Sequence, residues 1–329
     1  MKFCGVSTPF KGTRVYVRSA MGMPGSETCL EEVLCRVLGD QIQDGKVIKL
    51  ADNLYCGGNN LEELYNNWEE VLTCLSKNNL RLSPSQTVVN PKTVNILGWV
   101  WTEGVLSVSS HAVTSLSTCQ KPQTVKQMRS FVGAYKVLSR AIPECAIVIA
   151  PLDDMTNGKS SAEKLVWDDT LTKCYELAQQ ALSTATPIIL PRPSDQLWIV
   201  TDAANAKPGI SSTLYITRGH FKKPRIAGFF SAKLKGNQIG WLPCEREALC
   251  IASSVSHFQP FITQSYHSTS VLTDSDPCVK AYGKMARGEF STSPRVSTFL
   301  SVCSRFQVSV RHISGVDNAL SDHGSRNPP

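Results

Sequence analysis

Four acidic residues in the C-terminal two fifths of the chain have types and spacing that could support hydrolytic chemistry. They follow one another in the order Asp, Glu, Asp, Asp: Asp202 in WIVTDAA, Glu247 in CEREALCIA, Asp274 in SVLTDSD and Asp322 in NALSDHGSR. Carboxylate oxygens are the hard ligands that magnesium prefers. If these side chains converge, they could hold two magnesium ions about 3.5–4 Å apart, which activate water and stabilise the leaving oxygen in phosphodiester hydrolysis.

Each of these acids also has a simpler interpretation. An Asp at the end of a strand is often a turn former or a helix cap. Two neighbours compete for the same places, Asp276 with Asp274 and Asp317 with Asp322. The four acids therefore indicate a metal site more strongly as an ordered set than any one of them does alone.

The residues around the acids predict a mixed α/β sheet. Residues 306–311 alternate between apolar and polar side chains, as a half-buried strand should. Three strands, a helix and then alternating strands and helices are the order expected of such a sheet. The predicted elements are strands at 197–201, 211–217 and 225–231, a helix at 245–258, a strand at 270–273, a strand at 306–313 and a helix at 318–325.

The region up to about residue 107 predicts two hairpins separated by a helix. The first hairpin has its turn at Asp52-Asn53, between apolar runs that are closed by two glycines. Apolar residues at helical spacing predict the helix over 61–80. The second hairpin, in VNILGWVWTEGVLSV, turns at Glu103-Gly104.

The next region, to about residue 187, is predicted to be helical. Thr124 could cap one helix. A second helix over 169–185 would carry one apolar side formed by Leu171, Cys174, Leu177, Ala178 and Leu182. Prolines between 187 and 193 then mark a linker. We therefore predict domains at 1–107, 108–190 and 191–329.

Composition narrows the class of protein. The 329 residues carry a net charge of +7, which fits either a nucleic-acid partner or a mildly basic protein without one. None of the 12 cysteines forms a Cys-x-x-Cys pair, so buried free thiols in a reducing compartment are expected rather than zinc ligands. No apolar run is long enough to span a membrane. We expect an intracellular protein, in the cytoplasm, the nucleus or a virus-like particle.

The third region resembles the ribonuclease H domain of retrovirus and retrotransposon Pol polyproteins. The matching segments, in the expected order, are TDAANAKPGISSTLYI, FFSAKL, WLPCEREALCIA, VLTDSDPCVKAY and HISGVDNALSDHGSRNP. The first two regions resemble reverse transcriptase of the same polyproteins, through RVYVRSAMGMPGS, KLADNLYCGG, NILGWVWTEG and KPQTVKQMRSFVGAYKVLSRAIP. The resemblance implies an α/β protein, α+β in its N-terminal part. A partial palm and a helical thumb and connection would precede an RNase H-like mixed five-stranded sheet with flanking helices.

For the nuclease, the resemblance implies a role for each acid. Asp202 would bridge two Mg²⁺ ions, with Mn²⁺ as the alternative metal. Glu247 and Asp274 would complete one metal site, and Asp322 the other. Glu245 competes with Glu247, but two residues apart on a helix they face different ways, and relatives with Glu-Lys-Glu use the second acid. The implied reaction cuts RNA paired to DNA, leaving a 3′-hydroxyl and a 5′-phosphate.

For the polymerase, the resemblance implies a remnant. Relatives carry Asp-Asp in the hairpin where this chain has Asp52 and Asn53, and a Lys where it has Gln86. Another catalytic Asp of relatives would precede KGTRVYVRS, upstream of the sequence given. One carboxylate alone is a poor site for two magnesium ions, so we expect nucleotide addition to be lost.

Basic residues near the acids are candidate contacts for an RNA–DNA hybrid or another nucleic acid. They are Lys233 and Lys235 after the third strand, and Lys280, Lys284 and Arg287 after Asp274. Such contacts to phosphate position a duplex without reading its sequence, although a solvated helix face is an equal alternative. Fingers and integrase regions of Pol are further candidate partners. The competing hypotheses are an inactive remnant that only binds nucleic acid or protein, and an integrase-like nuclease, whose order Asp, Asp, Glu differs from the order here.

Overall fold

A computed structural model describes residues 5–16, 19, 22–203, 209–219, 223–289 and 293–314. The chain divides into two compact units, Met1–Asn90 and Pro91–Pro329. The second unit includes the regions predicted as two domains, 108–190 and 191–329, together with strands that precede them. The division into three domains stays a prediction. No helix among the described residues is long and apolar enough to cross a membrane.

The first unit builds a small core from two helices and a hairpin. Its buried residues are Leu34, Leu38, Val47, Val71 and Leu75. The helix predicted over 61–80 is confirmed, and Asn60 caps it by accepting a hydrogen bond from the Glu63 amide at 2.9 Å. The elements are β1 Gly5–Thr8, β2 Gly12–Val15, α1 Ser26–Val37, α2 Gly39–Gln43, β3 Val47–Leu50, β4 Asn53–Cys56 and α3 Leu61–Lys77.

The hairpin predicted around Asp52 is present, but its turn lies one residue earlier. Leu50 pairs with Asn53, so Ala51 and Asp52 form the turn and Asn53 begins β4. Ala51 adopts a positive φ of 52°, a backbone conformation that usually favours Gly, Asn or Asp. The predicted turn at Asp52-Asn53 was wrong by one residue. Asp and Asn are both common in turns, whereas Ala gives no sequence signal that it occupies one.

The second unit begins with a four-stranded antiparallel sheet. Its strands are β5 Thr93–Ile96, β6 Trp99–Thr102, β7 Val105–Val108 and β8 Ile188–Ile189, paired in that order. The predicted turn at Glu103-Gly104 is confirmed, with φ of 50° and 83°. A second turn of the same kind, Leu97-Gly98, was not predicted, because leucine rarely takes the positive φ of 50° that it has here.

Helices follow the sheet as predicted, with one difference in the apolar side. They are α4 Ser110–Ser117, α5 Val125–Val137, α6 Cys145–Asp154 and α7 Asp169–Ala181. Thr124 caps α5 in a capping box with Gln127. A short 3-10 turn, Leu182–Thr184, ends the helix predicted over 169–185. Leu177, predicted on the apolar side, is 50% exposed. Tyr175, which was not predicted there, is buried instead.

The predicted five-stranded mixed sheet is confirmed. Its order is β11-β10-β9-β12-β13, with β10 antiparallel to its neighbours and β9, β12 and β13 parallel. The strands are β9 Gln196–Asp202, β10 Gly209–Thr217, β11 Arg225–Lys233, β12 Thr269–Thr273 and β13 Val308–His312. The flanking helices are α8 Pro243–His257, α9 Gln259–Gln264, α10 Asp276–Ala286 and α11 Pro294–Leu300. The helix predicted over 318–325 lies outside the described residues.

Helix α8 joins the core of this sheet through one apolar side. Ala248, Ile251 and Val255 are fully buried in the same cluster as Ile199 and Leu214 of the sheet. Because α-helical residues three or four apart lie on one side, Glu247 is next to this buried stripe. Packing of α8 therefore fixes where the Glu247 side chain can point.

Candidate active site

The C-terminal ends of the inner strands β9 and β12 lie side by side, at the edge of the sheet where the parallel strands end. Leu272 of β12 pairs with Val200 of β9, and the Thr201 hydroxyl donates to the Leu272 carbonyl oxygen at 3.2 Å. Two residues further along each strand come Asp202, half-buried, and Asp274, exposed. The parallel register therefore delivers both aspartates to the same edge.

Glu247 reaches this edge from α8 and is bound by both strand ends. Its Oε1 accepts a hydrogen bond from the amide of Ala203 at 3.0 Å, directly after β9. Its Oε2 accepts from the Thr273 hydroxyl at 3.4 Å, at the end of β12. The side chain is only 6% exposed. Glu247 thus links the two strand ends that carry Asp202 and Asp274.

The electrostatics of Glu247 reflect this crowded position. Burial, with a smaller contribution from the negative charges of Asp274 and Asp202, raises the pKa of its carboxyl from an ordinary 4.5 to about 7, and the two hydrogen bonds act in the opposite direction. Like charges at close range disfavour ionisation of each other. A bound cation would remove this penalty, because it would favour the ionised form of all three carboxylates.

The two acids that compete with the predicted set are engaged elsewhere. Glu245 accepts hydrogen bonds from the Arg295 guanidinium at 2.9 Å and from the Leu242 amide at 3.2 Å. Asp276 pairs with Lys280 one turn along α10 at 2.5 Å. The structure therefore brings Asp202, Glu247 and Asp274 together and gives Glu245 and Asp276 other partners. Asp322 and Asp317 lie outside the described residues.

The donor chemistry at this edge fits a hard divalent cation. Asp202, Glu247 and Asp274 offer only carboxylate oxygens, the ligand type that Mg²⁺ prefers. Across the part of the chain that the structure describes, no group of three or more His, Cys, Asp or Glu side chains is already arranged to hold a metal ion. The fourth predicted ligand, Asp322, is not among those residues.

Sequence reasoning missed two groups that hold Glu247. Thr273 was passed over as a strand residue, and the Ala203 amide has no side-chain signature at all. A signal for the threonine was available, because Thr-Asp occurs at both strand ends, in WIVTDAA and SVLTDSD.

Cys250, fully buried one turn after Glu247, donates weakly from its thiol to the carbonyl oxygens of Asp202 and Ser211, at 3.6 and 3.2 Å.

The predicted basic residues fall on two surfaces. Lys280 and Lys284 lie on the exposed side of α10, and the exposed Arg287 directly follows the last residue of this helix. Two of the three are partly neutralised, Lys280 by Asp276 and Arg287 by Glu289. Lys233 ends β11 and pairs with Asp154 of α6, whereas Lys235 is exposed.

The predicted polymerase remnant is a surface hairpin of the first unit. Asp52, in the turn, and Asn53, at the start of β4, are both exposed. Between them these two positions offer a single carboxylate.

Comparison with known families gives this fold a name. Residues 167–270 match the family described as "RNase H-like domain found in reverse transcriptase". The chain carries an RNase H-like domain of reverse transcriptase. Asp202 and Glu247 lie within the matched residues of this domain, and Asp274 follows four residues after their end.

Relatives of the chain are polyproteins of viruses and transposons. It is 26% identical over 285 residues, 84% of its length, to the genome polyprotein of Petunia vein clearing virus. It is 20% identical over 327 residues to the Retrovirus-related Pol polyprotein from transposon opus of Drosophila melanogaster, and 19% over 316 residues to the Transposon Tf2-7 polyprotein of Schizosaccharomyces pombe. These alignments cover 97% and 96% of the chain. The chain spans 12%, 31% and 23% of the three relatives, respectively.

Solved structures share the fold. The foamy viral protease-reverse transcriptase in complex with RNA/DNA hybrid superposes with a TM-score of 0.67 at 15% identity, covering 94% of this chain and 40% of that one. The dRH form of the foamy viral enzyme in complex with double-stranded DNA gives 0.72 at 16% identity, covering 93% and 52%. At this identity the likeness establishes the reverse transcriptase and RNase H fold for the chain.

Proposed function

We propose that the chain is a metal-dependent ribonuclease H that cuts the RNA strand of RNA–DNA hybrids endonucleolytically. The observation that carries the proposal is the position of Glu247, which the ends of β9 and β12 bind at the same time. Its pKa also responds to the charges of Asp202 and Asp274. These three carboxylates, at one edge of an RNase H-like sheet, are the first three members of the predicted set.

The chemistry of this site follows from its carboxylates. Asp202, Glu247 and Asp274, with Asp322 as the proposed fourth, would hold two Mg²⁺ ions, or Mn²⁺ in their place. When bound, such ions activate a water and stabilise the leaving oxygen. The carboxylates themselves orient the ions, and burial of Glu247 strengthens the electrostatic interactions because fewer waters screen them. No nucleophilic side chain is required.

The proposed substrate is a nucleic-acid duplex with an RNA strand. One similar fold was solved with RNA/DNA hybrid, and α10, which carries the exposed Lys280 and Lys284, begins two residues after Asp274. Lysine and arginine there would contact phosphates and position the duplex without reading sequence. Groove shape and 2′-hydroxyls would then distinguish a hybrid from DNA. We expect this activity in the cytoplasm, the nucleus or a virus-like particle, beside other Pol regions.

Cleavage of a labelled RNA–DNA hybrid in Mg²⁺ tests the proposal. The parent protein is compared with Asp202→Asn and Glu247→Gln, each of which keeps the shape and removes one charge. We expect each variant to lose at least about 100-fold in rate, because a catalytic metal ligand is lost. Glu245→Gln is the matched control on the same helix and should cut at nearly the parental rate.

Two results would contradict this assignment. If the parent does not cut, or if it cuts no faster than Asp202→Asn, the nuclease is not formed by these residues. Binding of the hybrid without cutting would then support the alternative, an inactive remnant that only binds nucleic acid or protein.

We also propose that the chain adds no nucleotides. Support comes from the hairpin, where Asn53 gives an amide in place of the second carboxylate of relatives and Asp52 is exposed on a surface turn. A primer-extension assay on an RNA template should show no product. Extension by the parent protein that Asp52→Asn abolishes would contradict the proposal.

A further inference from the structure

Thr273 sits where three parts of the site meet. It is the last residue of β12, and its side chain is fully buried. Its hydroxyl oxygen accepts a hydrogen bond from the amide of Ser275 at 3.1 Å, and its proton points to Glu247 Oε2 at 3.4 Å. Ser275 is the N-cap residue, which directly precedes α10. One hydroxyl therefore touches the strand end, the turn that carries Asp274 and the side chain of Glu247.

Both functions of this hydroxyl can be used at once. A threonine hydroxyl has one proton and two lone pairs. The Ser275 amide occupies a lone pair, which leaves the proton for the Glu247 carboxylate. Among the described residues, the only other donor to this carboxylate is the Ala203 amide, on Oε1. The two oxygens of Glu247 are thus bound separately, one by each strand end.

From this arrangement we infer that Thr273 is a positioning residue of the proposed nuclease, and that it sets the orientation of the Glu247 carboxylate relative to Asp274. This inference rests on the proposed function. Groups that orient metal ligands through a hydrogen bond typically change metal affinity or activity by about 10- to 100-fold when removed. Because Thr273 is fully buried, we expect its effect to pass through the two carboxylates and not through a contact with substrate.

The chain contains a matched control for this inference. Thr269 lies at the other end of the same strand, is equally buried, and has a hydroxyl without a hydrogen-bond partner among the described residues. Thr273→Val and Thr269→Val therefore each replace a buried hydroxyl of the same strand with a methyl group. Only the first removes hydrogen bonds, the one to Glu247 and the one from the Ser275 amide. Thr273→Ser keeps the hydroxyl and removes a methyl group.

Hybrid cleavage supplies the first readout. We expect Thr273→Val to lower kcat about 10-fold or more with little change in KM, because hybrid contacts on α10 are untouched. It should also raise the Mg²⁺ concentration that gives half-maximal rate. Thr273→Ser should restore most of kcat, and Thr269→Val should behave as the parent does. Equal kcat in the parent and Thr273→Val, or equal loss in both valine variants, would overturn the inference.

Amide hydrogen exchange at Ala203 supplies a second readout that needs neither substrate nor metal. The Ala203 amide donates to Glu247, so a carboxylate held less firmly should leave it less protected. We expect exchange to be several-fold faster in Thr273→Val and unchanged in Thr269→Val and Thr273→Ser. If the parent cuts no hybrid, the proposed function fails, and the exchange rate still decides the inference: unchanged exchange in Thr273→Val overturns it.

Discussion

Glu247 combines two properties that conflict unless a cation is bound: it is buried, and it must be ionised to bind a cation. Burial and the charges of Asp274 and Asp202 raise its pKa to about 7, well above the 4.5 of an exposed glutamate. Since the folded state binds the proton more tightly than the unfolded state, this group favours folding at low pH. Its contribution is lost as the pH rises above 4.5 and through 7.

This linkage predicts a pH-dependent stability difference at a single residue. In metal-free buffer at pH 8, Glu247→Gln should unfold with a higher free energy than the parent, by up to roughly 3 kcal/mol, because no buried charge must form. Near pH 4.5 the two proteins should be almost equal. Urea unfolding at both pH values measures the difference, and magnesium should narrow it at pH 8 by stabilising the parent alone.

Glu245→Gln gives the control for that measurement. Glu245 is only partly buried and is paired with Arg295, so its loss should change stability by about 1 kcal/mol or less. A parent more stable than Glu247→Gln at pH 8 without metal would show that the repulsion at this edge is absent.

At the scale of elements, regular patterns made much of the fold predictable. The alternation along β13 and the helical spacing of apolar residues along α3 each identified an element. The two wrong turn predictions share a cause: each turn contains a residue whose backbone conformation is unusual for its type. Ala51 and Leu97 both adopt a positive φ, so one predicted turn was displaced and another missed. The partners of Glu247 depend on tertiary packing, which no local pattern encodes.

The α10 side chains carry a prediction about binding rather than chemistry. Lys284→Gln should weaken binding of the hybrid and reduce the slope of log affinity against log salt by about one, because one phosphate contact is lost. At saturating hybrid, kcat should stay near the parental value. Lys173→Gln, at an exposed position of α7, changes the net charge equally and serves as the control. Equal salt slopes for the two variants would show that Lys284 makes no phosphate contact with the duplex.

At the scale of the whole second unit, helix α6 and the RNase H-like sheet share an interface. The Ala146 amide donates to the Ser231 hydroxyl of β11 at 2.8 Å, and Lys233 pairs with Asp154. Gly209 of β10 faces the Ile147 side chain so closely that a Cβ there would clash. Arg140 crosses Gly228 of β11 and stacks on the Phe261 ring, 4.5 Å from its centroid. The sheet edge at β11 is therefore covered by residues outside the predicted third domain.

This interface predicts that residues 191–329 are a poorer folding unit than residues 91–329. The shorter fragment would expose the edge strand β11 and the apolar surface that α6 covers, and exposed edges promote association. We expect it to unfold at lower urea concentration, with a smaller m-value, and to associate at micromolar concentration. The longer fragment should be monomeric and unfold in a single transition.

Gly209→Ala in the longer fragment should reproduce part of the loss of stability, because its new methyl group meets Ile147. Gly240→Ala, at a glycine with open space around its Cα, should not. Equal urea midpoints for the two fragments would mean that the nuclease sheet is stable without α6.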